Sequence, residues 1–146
     1  MRTLTEVLVV DDNPADSDLV AEILSRNGCA SHIQAVPNGA EAMAFFHRQG
    51  KYANAPRPDF VVLDLNLPGK DGRAVLGEIK NDPLLRKIPI AIFSTSEARQ
   101  DIVGSYELGA NCYVTKPGNL QDYISAVTSI GEFWFGFARL PRKEEL

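Results

Sequence analysis

Asp11, Asp12, Asp64, Ser94 and Lys116 are the residues whose types and places could do chemistry, because each stands just past a short apolar run. Three carboxylates brought to one rim repel one another and suffer raised pKa values unless a cation neutralises them. A hard divalent ion answers that need. Mg²⁺ takes oxygen ligands in an octahedral array and keeps several waters, so two or three carboxylates and a backbone carbonyl would hold it and leave room for a phosphoryl oxygen. The Lys116 ammonium and the Ser94 hydroxyl complete a set suited to phosphoryl transfer, where catalysis is mostly positioning and charge neutralisation. An aspartate can be the nucleophile of such a site, and Asp64 ends the most apolar run, Phe60-Val61-Val62-Leu63.

The elements that must position these residues are legible in the hydrophobic pattern. Short runs rich in Val and Ile alternate with longer segments of helical period, about every 25 to 30 residues, as βα units do. The predicted strands are Val7 to Val10, Ser31 to Val36, Phe60 to Leu63, Ile90 to Phe93 and Cys112 to Val114. Three of them are nearly continuous in apolar residues, which suits strands covered on both faces.

The first helix opens on Asn13-Pro14, an N-cap with proline at the first helical position, and Asp16 complements the dipole. Leu19, Val20, Ile23 and Leu24 form its apolar stripe, and Gly28 is the expected stop. The second opens on Asn38 and Glu41 in capping-box spacing, buries Ala42, Met43 and Phe46, and ends near Gly50. The third runs from Gly72 to Lys80 with Val75, Leu76 and Ile79 inward, and the fourth from Glu97 to Leu108. The fifth starts near Asn119, carries Leu120, Tyr123, Ile124 and Val127 at helical spacing, and is expected to continue through Trp134.

The whole predicts an α/β fold, a doubly wound five-stranded parallel sheet with helices on both faces, spanning residues 1–140 with a C-terminal aromatic extension and a tail at 141–146. Ligands of such sheets bind outside the carboxyl ends of the strands, where the five chemistry-bearing residues fall.

The Val7-to-Asp12 strand with its paired acids, the Leu63-to-Gly72 segment around Asp64, Ser94 after Phe93, and Thr115-Lys116-Pro117 together resemble the receiver domains of bacterial two-component response regulators. The likeness covers nearly the whole chain in the right order. It implies a flavodoxin-like fold and an Asp64 that takes phosphate from a partner kinase's phosphohistidine. It implies Mg²⁺ bound by Asp11, Asp12, Asp64 and the Asn66 backbone carbonyl, with Asp12 a direct ligand and Asp11 acting through water. Ser94 would bond the phosphoryl group, Lys116 would pair with it, and Tyr113 would turn inward when the hydroxyl moves. The face of the fourth helix, fifth strand and fifth helix would read the change. The same likeness suggests a cis bond at Lys116-Pro117. The Gly50-to-Asp59 segment, Cys112 to Lys116 and Glu132-Phe133-Trp134 further resemble the single-domain regulators of bacteriophytochrome and cyanobacterial phytochrome kinases, which implies a phytochrome as the partner.

Other classes fit less well. A haloacid-dehalogenase-type hydrolase needs a second acid two residues after its nucleophile, where this chain has Asn66. A nucleotide or flavin site needs a glycine-rich first loop, and the loop is Asp11-Asp12-Asn13-Pro14. A receiver-like interaction module would have lost an acid, the lysine or the hydroxyl. The expected site assists transfer onto itself and turns over no external substrate, so the protein is read as a signalling switch and not an enzyme.

Net charge −4 and the lack of a basic stripe argue against nucleic acid. No run approaches the roughly 18 apolar residues of a membrane span and no leader is visible, so a cytoplasmic protein is expected. Cys29 and Cys112 lack metal or redox spacing and read as reduced thiols. Asp71-Gly72 reads as a turn and helix cap, and His32 and His47 as surface residues. Phe133, Trp134, Phe135 and Phe137 point in several directions on a helix, more than one core can take, which predicts an interface and a homodimer.

Overall fold

Alternate residues of the central strands face opposite sides, and both sides are apolar, so helices must cover both. The computed structural model, which describes residues 4–26 and 31–141, meets that requirement with five βα units. The elements are β1 (Thr5–Val10), α1 (Pro14–Ser25), β2 (Ser31–Val36), α2 (Gly39–Phe46), β3 (Phe60–Leu63), α3 (Gly72–Asn81), β4 (Ile90–Ser94), α4 (Arg99–Glu107), β5 (Cys112–Thr115) and α5 (Leu120–Gly131). All four strand pairings are parallel, in the order β2-β1-β3-β4-β5. The reversal of direction falls between β1 and β3, where an open α/β sheet leaves its crevice.

On one face, Leu8, Val10, Val61, Leu63, Ile90 and Ile92 pack against Ala42, Met43 and Phe46 of α2 and Val75, Leu76 and Ile79 of α3. On the other, Val7, Val9, Phe60, Val62, Ala91 and Phe93 meet Val20, Ile23 and Leu24 of α1 and Tyr123, Val127 and Ile130 of α5. The period of two along each strand thus divides one set of apolar runs between two cores.

Several element ends differ from expectation. Helix α2 stops at Phe46, because Arg48 takes a left-handed conformation (φ 55°), and a 3₁₀ turn follows over Gly50–Tyr52. Helix α4 begins at Arg99, after the Ser96 hydroxyl has accepted a hydrogen bond from the Ala98 N–H. Helix α1 ends at Ser25 with Arg26 as its cap, while the predicted stop, Gly28, lies outside the described residues, as do Cys29 and residues 142–146 of the expected tail. Leu120, the first residue of α5, is 62% exposed and does not join the apolar stripe. The Lys116–Pro117 bond is trans, contrary to the expectation of a cis bond. Trans is the ordinary isomer, favoured by about 0.5–1 kcal/mol before proline.

Beyond α5 the chain continues as a π-helical turn, Glu132–Phe137. The wider turn sends Trp134 and Phe135 back onto Phe60, with ring centroids 5.2 and 5.7 Å away, and leaves Phe133 and Phe137 exposed. Among the described residues no helix is long and apolar enough to cross a membrane.

Candidate functional site

Strand register delivers the site residues to one rim. Val10 pairs with Leu63, so Asp11 and Asp64 leave adjacent strands at the same level, and the Asp64 N–H donates to the Val10 carbonyl at 3.0 Å. Ser94 pairs with Thr115 on the neighbouring strands, and the Lys116 N–H donates back to the Ser94 carbonyl at 2.7 Å. Asp11, Asp64, Ser94 and Lys116 are all buried, although each is polar or charged.

Burial of charge demands partners, and the partners are specific. Lys116 Nζ donates to Asp11 Oδ2 at 2.8 Å, Asp64 Oδ2 at 3.0 Å and Asp16 Oδ2 at 3.2 Å. The second oxygen of Asp11 accepts from the Asn13 N–H at 3.0 Å, and that of Asp64 from the Asn66 N–H at 3.1 Å. The Phe93 ring lies under the ammonium, 5.8 Å from its centroid, within cation–π range.

Burial pulls the Lys116 ammonium down, but its hydrogen bond to Asp11 and the charges of Asp64 and Asp11 outweigh it, so its pKa lies above the ordinary lysine value. Burial pushes the Asp11 carboxyl up, against the pull of Lys116 and the Asn13 N–H. At neutral pH the lysine is therefore charged, and it is the cation that lets these acids sit together.

Asp12 is exposed, and no hydrogen bond or ion pair ties its carboxylate among the described residues. One oxygen from each of Asp11, Asp12 and Asp64 lies within 4.8 Å of the others. Such an all-oxygen anionic set, with one member unpartnered, fits a hard divalent cation.

Ser94 is fully buried, and its Oγ accepts from the Ser96 N–H at 3.3 Å, which leaves the hydroxyl proton free to donate elsewhere. Tyr113 is half-buried and its hydroxyl donates to the Ser96 carbonyl at 2.8 Å. The Ser96 hydroxyl in turn donates to Asp101 of α4, which also pairs with Arg73 of α3. Serine 94, Tyr113 and the β4–α4 loop are thus one connected unit.

The comparisons with known proteins agree with this geometry. The response regulator receiver domain model matches residues 7–128. The chain belongs to the response regulator receiver family. It is a receiver of the phosphorelay kind, a signalling protein phosphorylated on an aspartate. This receiver is 46% identical to response regulator Rcp1 of Synechocystis sp. over 92% of both chains. It is 34% identical to the probable methanogenesis regulatory protein FilR2 of Methanothrix harundinacea, over 92% of this chain and 86% of that one. The Mn²⁺-bound structure of Rcp1 superposes with a TM-score of 0.92 at 45% identity, covering 94% of this receiver and 99% of that chain. The phosphorylated cyanobacterial phytochrome response regulator RcpA does so with a TM-score of 0.92 at 46% identity, covering 96% and 100%. Receivers bind a divalent metal and are served by histidine kinases, and the acidic trio of this receiver has the composition for such a metal.

Two features of the site escaped the sequence reading. Asp16, read as a helix-dipole acid, reaches Lys116 from the first turn of α1. Gly72, read with Asp71 as a cap, is also a close-packing point: a Cβ there would lie 2.2 Å from the Asp64 carbonyl oxygen and 2.7 Å from Leu65 Cα. Asp71 does cap α3, its side chain accepting from the Arg73 N–H at 2.7 Å. His32 is an exposed cross-strand partner of Glu6 at 2.8 Å, His47 is exposed, and Cys112 is a free thiol beside Trp134.

Proposed function

We propose that Asp64 is the phosphoacceptor of this receiver, that the phosphoryl donor is the phosphohistidine of a sensor histidine kinase, and that Asp11, Asp12, Asp64 and the Asn66 backbone carbonyl hold Mg²⁺. The observation that carries the reading is the buried lysine shared by Asp64 and Asp11 at the rim where the sheet reverses direction. When bound, the divalent ion neutralises the carboxylates and draws charge from the phosphoryl oxygens. Asp64 attacks phosphorus through a carboxylate oxygen as the P–N bond of the donor breaks, and the imidazole leaves with the electron pair and is protonated. Lys116, already charged and held at the rim, pairs with a phosphoryl oxygen. Ser94 donates its free hydroxyl proton to another. Movement of Ser94 then releases Tyr113 from the Ser96 carbonyl and lets the β4–α4 loop rearrange against β5 and α5.

The protein turns over no external substrate on this reading. A phytochrome is the proposed kinase, supported by 46% identity across nearly the full length of a phytochrome response regulator. Phe133, 53% exposed, and Phe137, 82% exposed, form the outward part of a homodimer interface that Trp134 and Phe135 support from beneath. Acidic charge without a basic stripe weighs against nucleic acid as a partner, and two cysteines without metal or redox spacing suit a reducing, cytoplasmic setting. Residues 1–140 act as the receiver with its aromatic extension, and 141–146 as a tail.

Incubation with acetyl phosphate and Mg²⁺ should add one phosphoryl group to the intact mass of the wild type and none to Asp64→Asn. A wild type that binds Mg²⁺ yet gains no mass refutes the assignment. Sedimentation that finds only monomers at high micromolar concentration, with and without phosphodonor, refutes the dimer.

A further inference from the structure

Asp16 stands in the first turn of α1, where a carboxylate ordinarily faces water and complements the helix dipole. Here both of its oxygens are committed to residues on the far side of the sequence. Oδ2 accepts from Lys116 Nζ at 3.2 Å, and Oδ1 accepts from the Tyr123 hydroxyl at 3.2 Å. Tyr123 is itself fixed: it is 7% exposed, and its ring meets Phe93 edge-on at 5.2 Å. The same Phe93 ring lies under the Lys116 ammonium. Of the three carboxylates on Lys116, only Asp16 belongs neither to the proposed phosphoacceptor nor to the acidic trio.

An ammonium on a four-carbon stem has three rotatable donors and no directional preference of its own, so its place is set by its partners. Two of those partners are unreliable for that purpose. Any divalent ion bound by the acidic trio competes with Lys116 for the oxygens of Asp11 and Asp64, and a phosphoryl group on Asp64 changes that partner altogether. Asp16 lies outside both events. Its orientation is in turn secured by a neutral hydroxyl donor, since burial and then the Asp16 charge hold the Tyr123 phenol above its ordinary pKa.

We propose that Asp16 is a positioning residue for Lys116, tethered by the Tyr123 hydroxyl, and that this chain of two hydrogen bonds sets how fast Asp64 accepts a phosphoryl group. The inference rests on Asp64 being the acceptor, as argued above. Asp16 touches no reacting atom; it acts through the lysine, which keeps its aim at the rim when the other carboxylates are taken.

Tyr123→Phe keeps the ring packing and removes one hydroxyl, and Asp16→Asn keeps the size and removes the charge. Three quantities are read on the full chain: the rate of mass gain with acetyl phosphate, the Mg²⁺ concentration giving half the maximal rate, and the NMR signal of the Lys116 ε-methylene in Mg²⁺-free protein. Tyr123→Phe should slow acceptance about 2- to 12-fold, the weight of one ordinary hydrogen bond. It should shift the Lys116 signal and leave the half-maximal Mg²⁺ concentration unchanged, and Asp16→Asn should do the same with a larger slowing. Wild-type rates and an unmoved Lys116 signal in both variants overturn the proposal. Parallel loss of rate and Mg²⁺ affinity also overturns it, because that pattern marks a loosened site and not a misaimed lysine. A wild type that takes no phosphoryl group at all sinks the acceptor reading, and the positioning role with it; a normal wild type with unaffected variants sinks the positioning role alone.

Discussion

Replacing Lys116 by methionine tests the electrostatic design of the rim. The ammonium and its partners Asp11 and Asp64 have side chains only 5%, 5% and 9% exposed, so water cannot substitute for the lost charge. Removing one member of a buried ion pair costs about 3–5 kcal/mol. Two unit charges at the cluster's 4.8 Å limit repel by about 3.5 kcal/mol at an effective dielectric constant of 20. The cost has a ceiling, because the variant can protonate a carboxyl, with Asp11 already pushed upward by burial. Protonating an ordinary carboxyl costs about 4 kcal/mol at pH 7 and about 1.4 kcal/mol at pH 5.

The expected loss is therefore about 3–4 kcal/mol at pH 7 in EDTA and less than half that at pH 5. The sign follows from linkage. In the variant the folded state binds more protons than the unfolded state, so stability falls as pH rises, and the gap from wild type widens between pH 5 and 7. Urea unfolding followed by circular dichroism reads it as a midpoint lower by roughly 1.5–2 M, given a slope near 2 kcal/mol/M. Mg²⁺ should restore much of the loss, since it supplies the missing positive charge. A Lys116→Met protein within about 1 kcal/mol of wild type at pH 7 in EDTA, a margin that surface substitutions rarely exceed, would show that the lysine does not hold the cluster together.

Asp12→Asn should raise stability in EDTA by roughly 0.5 kcal/mol, because Asp12 adds repulsion that no partner among the described residues offsets; the gain should vanish or reverse in Mg²⁺, and urea midpoints in the two buffers decide it. Gly72→Ala should cost about 2–3 kcal/mol by overpacking and slow phosphoryl acceptance, since the added Cβ would push on the Asp64 carbonyl; an unchanged melting curve would sink this. Lys80→Met should cost about 1–3 kcal/mol, because its ammonium donates to the Arg86 and Ile88 carbonyls and to Asn111 Oδ1 at 3.0, 2.8 and 3.0 Å. Burial lowers the Lys80 pKa from 10.5 to about 8, so between those values the unfolded chain binds more protons, wild-type stability gains from Lys80 as pH rises, and its margin over the variant should widen; a constant margin from pH 7 to 10 would refute the shift.

Much of the fold could be read from the chain because its signals are local. The unbroken apolar runs Val7 to Val10 and Phe60 to Leu63, the caps at Asn13, Asn38 and Asn119, and the capping Asp71 act within a few residues of themselves. Asp11, Asp12, Asp64, Ser94 and Lys116 were legible as a set for the same reason: each terminates or follows an apolar strand, and parallel strands necessarily end at one rim. Distances across that rim were not legible. Asp16 looks like any first-turn acid, and Tyr123 like any buried member of a helical stripe, until α1 and α5 pack side by side and bring both to Lys116. The close approach of Gly72 to the Asp64 carbonyl and the inward turn of Trp134 and Phe135 onto Phe60 likewise arise where elements meet. Local pattern determined which residues reach the rim of this receiver; only tertiary packing, through contacts between positions about a hundred residues apart, decided which of them hold the lysine.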